Sequence, residues 1–432
     1  MAAGHSVSPD RWQHAFDELM GRIGARFARV EPRRRARAFV LGLLSGLPRA
    51  NCWTIAEHTG ESTPDGMQHL LARAAWDDEA VRDDLRGYVV EHLGDPEAVL
   101  IIDETGDVKK GSATVGVQRQ YTGTAGRVEN AQVGVYLVYA GAGGHAFIDR
   151  ALYLPRSWTE DAQRLRAAGV PDDVAFATKP ALARAMIARA LDDGTPAGWV
   201  AGDEVYGNDP NLRADLHGRG IGYVLAVARD HRVCTPAGYH QAIDLAASVP
   251  PQSWQRLSAG PGAKGHRYHD WAWVEITVDE APGRHWLLIR RNARTGELAF
   301  YHAHAPRPVP LHVLARVAGR RWAVEESFQA GKELAGLDEH QVRRWTSWHR
   351  WTVLAMLAHA FLAVTAATER ARAAPPAGLI PLTPNEIRRL FIGLLTRPVR
   401  DATHLLHWSR WRRHHQAAAR ASHYRRQDRQ LE

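Results

Sequence analysis

The sequence predicts an α/β protein in which a helical N-terminal domain precedes a core built on a mixed sheet. Two observations predict this class. Residues 1–95 carry apolar side chains at helical spacing, for example Trp12, Phe16 and Ile23. From residue 96 onward the apolar residues instead form short continuous runs that alternate with helical segments, and such runs are typical of buried strands.

The N-terminal domain, residues 1–95, has the features of consecutive helices. Ser8 is predicted to cap a first helix that has Pro9 at its first position. Residues 52–57, a turn at Gly60 and a helix from Pro64 follow the pattern of a helix-turn-helix. Any small helical bundle has the same pattern. Two interpretations therefore stay open for this domain, DNA binding and simple packing.

The core is predicted to begin at residues 96–228 with three strand-like runs and two helix–strand units. The runs are 98–102, 116–121 and 132–139; helix 180–191 leads to a strand that ends on Asp203, and helix 211–217 leads to strand 222–227. This is the order of an RNase H-like domain. A nucleotide-binding sheet would alternate from its start and open onto a glycine-rich loop, whereas Glu-Thr-Gly-Asp follows Asp103.

The remaining chain is predicted to interrupt, complete and extend this core. Residues 229–312 contain alternating segments and are predicted to form a small β-rich insertion. Residues 313–370 return to helix and complete the core, and residues 371–432 form a basic helical tail after a Pro/Ala-rich linker at 374–376. The longest apolar run, 353–366, is shorter than the roughly 20 residues of a bilayer span, so we expect a buried helix and no membrane partner.

Composition favours an anionic partner. The formal net charge is +8 and the pI is about 9.7, which suits nucleic acid or an acidic membrane surface. Cys52 and Cys234 are the only cysteines, so the sequence predicts neither a disulfide framework nor a cysteine zinc site. No apolar signal-peptide core occurs near the N-terminus. We therefore expect a cytoplasmic protein.

Three acidic residues form the candidate catalytic set. Asp103 ends the first predicted strand and Asp203 the fourth, so both are expected beyond the carboxyl ends of the strands. The later helix supplies Glu325. At about 100° per residue, Arg321, Glu325 and Lys332 share one helix face, whereas the adjacent Glu326 points about 100° away and ranks second.

Three carboxylates suit phosphodiester cleavage with two Mg²⁺ (or Mn²⁺) ions, one activating the attacking oxygen and one stabilising the leaving oxygen. The alternatives are structural. An Arg/Glu/Lys set at these spacings is also typical of a solvated, ion-paired helix face, and an aspartate after a strand is also typical of a loop start. The joint arrangement favours catalysis.

Cationic residues near the acids and in the tail are the candidate DNA contacts. From residue 397 to 429 there are nine arginines and five histidines, interleaved with Trp408, Trp411 and Tyr424. Arginine with aromatic residues suits phosphate contact and base stacking, although a solvated tail is the alternative. The predicted DNA-binding residues are Lys109, Lys110, Arg321, Lys332, Arg412 and Arg413.

Histidines offer a competing metal site in the sequence. The pairs His302/His304 and His414/His415 have the side chains that zinc binds. No cysteine accompanies them and no His-Glu-x-x-His motif occurs. The sequence therefore favours histidines that pack in the core or lie on the surface.

Four motifs resemble those of bacterial insertion-sequence transposases of the DDE class, in the branch with a Tyr-Arg-Glu-Lys signature and a β-rich insertion. They are residues 101–106, residues 202–207, the Arg321/Glu325/Lys332 helix and residues 336–343. The signature tyrosine falls on Ala318, which puts any role of a tyrosine hydroxyl in doubt.

The resemblance implies an RNase H-like core, Mg²⁺ dependence and a homodimer that acts on double-stranded DNA, at the terminal inverted repeats and at the target. It also implies a bacterial, nucleoid-associated protein. Two alternatives remain, a non-cutting DNA-binding regulator derived from a transposase and a non-mobile nuclease of the same fold.

Overall fold

A computed structural model describes residues 8–262, 265–278, 283–372, 378–396 and 401–431, with side chains up to residue 425. The predicted linker at 374–376 and the arginines of the tail at 397, 400, 426 and 429 fall outside these descriptions.

Helices make up the described N-terminal part from residue 8 to residue 95, as the apolar spacing predicts, apart from one isolated β-bridge between Phe27 and Trp76. They are α1 (Pro9–Arg22), α2 (Val30–Leu44), α3 (Cys52–His58), α4 (Asp65–Ala72) and α5 (Asp78–Leu93), with a 3₁₀ turn at Ile23–Arg26. Pro9 opens α1 as expected, but the Ser8 side chain makes no capping hydrogen bond. Asn51 caps α3 through a capping box with Thr54.

The core elements follow in the order β1 (Val99–Val108), β2 (Gln118–Thr122), β3 (Arg127–Ala140), β4 (His145–Leu152), α6 (Arg156–Thr159), α7 (Ala162–Ala168), α8 (Lys179–Asp192), β5 (Trp199–Gly202), α9 (Glu204–Gly207), α10 (Pro210–Gly218) and β6 (Gly222–Val227). β1, β5 and β6 are parallel, and β3 lies antiparallel to β1. β2 and β4 both pair with β3. This mixed sheet is consistent with the predicted RNase H-like core.

Two details of the predicted sheet are wrong. The first strand does not end at Asp103 but continues to Val108, because its second half stays paired with β3 after its pairing with β5 has stopped. The strand β4 was not predicted. Its apolar pattern is broken by Asp149, a fully buried carboxylate that pairs with Arg82 and Arg189.

Residues 229–312 are β-rich, as predicted, but they continue the core sheet. They contain β7 (Arg232–Thr235), β8 (Gly238–Gln241), α11 (Ala242–Ser248), a 3₁₀ turn (Pro251–Ser253), β9 (Gln255–Gly262), β10 (Gly265–Glu275), β11 (Arg284–Arg291) and β12 (Leu298–Ala305). β7 and β8 form a separate hairpin. β12 pairs antiparallel with β6, so β9–β12 belong to the core sheet, whose strand order is β2-β3-β1-β5-β6-β12-β11-β10-β9. The tenth strand of this sheet is β4, which pairs with β3 outside that order.

The chain finishes with α12 (Leu311–Arg320), α13 (Trp322–Ala335), α14 (Trp345–Arg372), α15 (Pro384–Leu395) and α16 (Ala402–Leu431). α14 contains the buried helix predicted from the apolar run. It is the one described helix that is long and apolar enough to cross a membrane, and 89% of its most apolar window is buried inside the protein. α1, α2, α4 and α5 all pack on α14, so the N-terminal helices share their core with it.

Candidate active site

Asp103 and Asp203 lie side by side at the end of the pairing between two parallel strands. Ile102 and Gly202 form the last register pair of β1 and β5, and each aspartate is the next residue of its chain segment. Neighbouring strands are about 4.8 Å apart, which brings the two carboxylates into one crevice. Asp203 also caps α9, where its Oδ1 accepts a hydrogen bond of 2.9 Å from the Val205 amide.

The crevice concentrates negative charge. Burial and the nearby Asp203 carboxylate raise the pKa of Asp103 to about 7, against the opposing influence of Arg321. Burial and then Glu104 raise the pKa of Asp203. Both groups are thus disfavoured as anions, and a cation between them would favour the ionised forms. Clustered carboxylate oxygens of this kind fit a hard divalent metal ion.

Arg321 connects the third acid to this crevice. It lies in helical conformation at the junction of α12 and α13. Its Nη1 is 3.3 Å from Asp103 Oδ2, and its Nη2 is 3.7 Å from Glu325 Oε1. Glu325 therefore lies on the same side of the sheet as the two aspartates, with its side chain 46% exposed at the opening of the crevice.

Glu326 is directed elsewhere. Its Oε2 is 3.3 Å from His145 Nε2 on β4. The hydrogen bond from His145 lowers the pKa of Glu326. Glu326 thus belongs to a different group of side chains, and the geometry favours Glu325 as the third acid of the crevice.

Lys332 lies further along the same face of α13. Its Nζ donates a hydrogen bond of 2.7 Å to Thr105 Oγ1. Thr105 is two residues after Asp103 in β1, so the two side chains point to the same face of the sheet. The helical spacing predicts that Arg321, Glu325 and Lys332 share one face, and in the structure this face runs along β1.

The two lysines after the first aspartate differ in exposure. Lys109 is only 11% exposed, donates a hydrogen bond of 3.0 Å to the His340 carbonyl and lies 3.8 Å from Asp107. Burial lowers the pKa of Lys109. Lys110 is exposed. The structure thus brings Lys109 into the fold, and it leaves Lys110 at the surface.

The basic tail docks on the N-terminal helices. Trp408 is buried and donates a hydrogen bond of 2.9 Å to the Glu61 carbonyl, and Trp411 packs edge-on against Trp53 at 4.8 Å. Arg412 pairs with Glu57 at 2.6 Å. These contacts cover α3 and the turn after it, whereas Arg413 and Tyr424 are exposed. The packing of Trp408 and Trp411 was not predicted, because stacking aromatics and packing aromatics have the same sequence pattern.

A cleft beside Asp203 contains functional candidates that the sequence did not single out. Arg267, Arg290 and Trp322 line it together with Asp203 and Arg321. Trp322 is 50% exposed, and the Arg267 guanidinium carbon lies 5.8 Å from the centre of its ring. The positions of Arg267 and Arg290, on β10 and β11, depend on the pairing of β12 with β6, which no local pattern reveals. The one signal in the sequence that could have identified Trp322 is its position directly after Arg321.

Comparison with known proteins places the chain in a family. The model for "DDE superfamily endonuclease" matches residues 22–280. The probable transposase for insertion sequence element IS701 of Microchaete diplosiphon is 32% identical over 196 residues, which cover 45% of this chain and 48% of that protein. The chain thus spans about half the length of this curated relative.

A solved structure is also similar to this chain. The piggyBac transposase synaptic complex with hairpin DNA has a TM-score of 0.48 and 11% identity, and the alignment covers 90% of this chain and 80% of the other.

The family match covers two of the three candidate acids. It includes Asp103 and Asp203 and ends before α12, so the location of Glu325 rests on its contact with Arg321. The match extends over more than half of the chain. The chain belongs to the DDE superfamily of endonucleases.

Proposed function

We propose that this protein is a DNA transposase that cuts at the ends of a mobile element and joins those ends to target DNA. The observation that carries the proposal is the contact of Arg321 with both Asp103 and Glu325, beside the adjacent Asp203. Members of the DDE superfamily generally use divalent metal ions. We assign Asp103, Asp203 and Glu325 as the ligands of two Mg²⁺ ions, which Mn²⁺ can replace.

Such a pair of ions, when bound, activates the attacking oxygen and stabilises the leaving oxygen of an in-line displacement at phosphorus. Asp103 and Asp203 would hold this charge at a fixed position, because Asp103 lies within the paired strand β1 and Asp203 directly follows β5. Glu325 is half-exposed and completes the set from the helix side. Arg321 reaches the same point with 30% of its side chain exposed, so its guanidinium is available to orient a phosphate oxygen.

The cleft beside Asp203 suits the DNA strand that leads to the cut. Arg267 and Arg290 supply positive charge, and the exposed ring of Trp322 offers a stacking surface for a base. We assign Lys332, Lys110 and Arg413, which the sequence predicts as DNA contacts, to the same positive surface. The formal net charge of +8 agrees with a polyanionic substrate.

Joining two transposon ends to one target favours a homodimer in which each protomer holds one end. We also propose a cytoplasmic location in contact with the nucleoid, where terminal inverted repeats and target DNA are both accessible.

The test uses the full-length protein and DNA that carries the inverted repeats flanking its gene. In Mg²⁺ or Mn²⁺ we expect nicking at the repeat ends followed by strand joining. Asp103→Asn, Asp203→Asn and Glu325→Gln should abolish cleavage and leave end binding nearly intact. Glu326→Gln is the matched control and should still cut.

Three results would overturn parts of this proposal. Cleavage by Glu325→Gln with none by Glu326→Gln would reassign the third acid. End binding by the wild type without any nicking would identify a regulator. Cutting without joining would identify a non-mobile nuclease.

A further inference from the structure

Three histidines from distant parts of the sequence meet where the end of α10 lies beside the β11–β12 pair. His285 and His304 are direct partners in the antiparallel register, and His217 lies in the last turn of α10. The ring centres are 4.5 Å apart for His285 and His304, 4.5 Å for His217 and His304, and 5.1 Å for His217 and His285. One ring nitrogen from each can be chosen so that all lie within 4.8 Å of one another.

Two of the three rings are in the form that binds metal. Burial lowers the pKa of His304 to about 3 and also lowers the pKa of His217, so both are neutral at pH 7. A neutral imidazole offers a nitrogen lone pair to a cation. His304 is 1% exposed, and its Nδ1 is buried with no hydrogen-bond partner among the described residues. A buried nitrogen of this kind is unfavourable unless something binds it.

We propose that His217, His285 and His304 bind one borderline transition-metal cation, for which Zn²⁺ is the best fit. Zn–N bonds of 2.0–2.1 Å in a tetrahedron correspond to nitrogens about 3.4 Å apart, so the most distant pair of ring nitrogens must close by roughly 1.4 Å. His217 is the one of the three that is only partly buried. Three imidazoles leave one tetrahedral position, which water fills.

The chemistry of the ligands separates this site from the acids of the crevice. Imidazole nitrogen suits Zn²⁺, Cu²⁺ and Ni²⁺, whereas Mg²⁺ prefers carboxylate oxygen and water. A fourth histidine nearby, His302, is not part of the proposed site. His302 lies on the same sheet face, 6.0 Å from His285, but the positive charge of Arg213 lies near it and disfavours a cation there.

A metal at this position would link two regions of the chain. His285 and His304 belong to the β-rich segment 229–312, and His217 belongs to the helix that leads into β6. The bound ion would therefore fasten this segment to the core and stabilise the folded chain. This role does not depend on whether the protein cuts DNA.

The test measures metal content in the full-length protein. Protein stripped with a chelator is dialysed into excess Mg²⁺, which occupies the carboxylate site, and is then titrated with Zn²⁺ or with Co²⁺ as a spectroscopic probe. We expect one Zn²⁺ per chain, a tetrahedral Co²⁺ absorption spectrum, and a rise in Tm of ~4 °C at a thousandfold excess over Kd.

His217→Gln and His304→Gln should weaken Zn²⁺ binding by more than about 10-fold and remove the rise in Tm. The matched control is His231→Gln, which changes a partly buried histidine outside the trio and should bind as the wild type does. If His304→Gln fails to fold, His217→Gln still tests the proposal, because it changes a side chain that is only partly buried. Unchanged Zn²⁺ binding in His217→Gln and His304→Gln, or no stoichiometric binding by the wild type, would overturn the proposal.

Discussion

Gly319 tests how the β-rich segment controls the active site. α12 crosses the sheet and lies directly on β9. A Cβ added to Gly319 would lie 1.8 Å from the carbonyl oxygen of Ala259 in β9. An ordinary contact needs about 3.4 Å, and backbone cannot rotate away as a side chain can. Gly319→Ala must therefore displace α12 from β9 by about 1.5 Å. Arg321 and Glu325 follow within two turns and would move with it.

The expected result is a large loss of cleavage with little loss of DNA binding. A misplacement of about 1 Å in a catalytic group costs roughly 100-fold in rate, so single-turnover cleavage by Gly319→Ala should fall by about 100-fold or more. The control is Gly393→Ala in α15, where an added Cβ meets nothing within 4 Å. Wild-type cleavage by a folded Gly319→Ala protein would refute the view that β9 positions Glu325.

Three further predictions concern charge. Asp103→Asn should stabilise the chelator-treated protein by about 2–4 kcal/mol at pH 8 and hardly at all at pH 4. The pKa of Asp103 rises from 3.8 to about 7 on folding, so above pH 7 the folded wild type carries this carboxylate in its unfavourable ionised form. Urea unfolding at both pH values measures the difference in stability, and a less stable variant at pH 8 would contradict the prediction. Asp149→Asn should lower the free energy of unfolding by about 3–5 kcal/mol in the same assay, because Arg82 and Arg189 lose their buried partner. A decrease under ~1 kcal/mol would contradict a stabilising role of these ion pairs. Lys332→Ala should weaken DNA binding equally across sequences and reduce by about 1 the slope of log binding constant against log salt concentration. DNA titrations at several salt concentrations measure this slope, and an unchanged slope would exclude a phosphate contact of Lys332.

The positions of the two aspartates were predictable from sequence. Each directly follows a short apolar run, and parallel strands place such residues at one edge of a sheet. The helical spacing likewise predicted the common face of Arg321, Glu325 and Lys332. These inferences depend on local patterns, which a single chain segment determines by itself.

Features that depend on long-range contacts were missed. The strand β4 contains a buried carboxylate whose partners come from α5 and α8, so its pattern does not look like that of a strand. The pairing of β12 with β6 joins residues more than 70 positions apart. The histidine trio extends from His217 to His304, and only the sheet register brings His285 opposite His304.

The two proposed metal sites lie at different levels along β6. Asp203 follows the last residue of β5, which pairs with Leu225 near the end of β6. His304 instead pairs with Tyr223 near the start of β6. Among the described residues, five register pairs, from Phe300↔Val227 to His304↔Tyr223, join the β-rich segment to the core sheet. A cation held at the His304 end would reinforce this short pairing. Because β9 in turn supports α12, which leads directly into α13, the reinforcement would extend to Glu325 beside the aspartates.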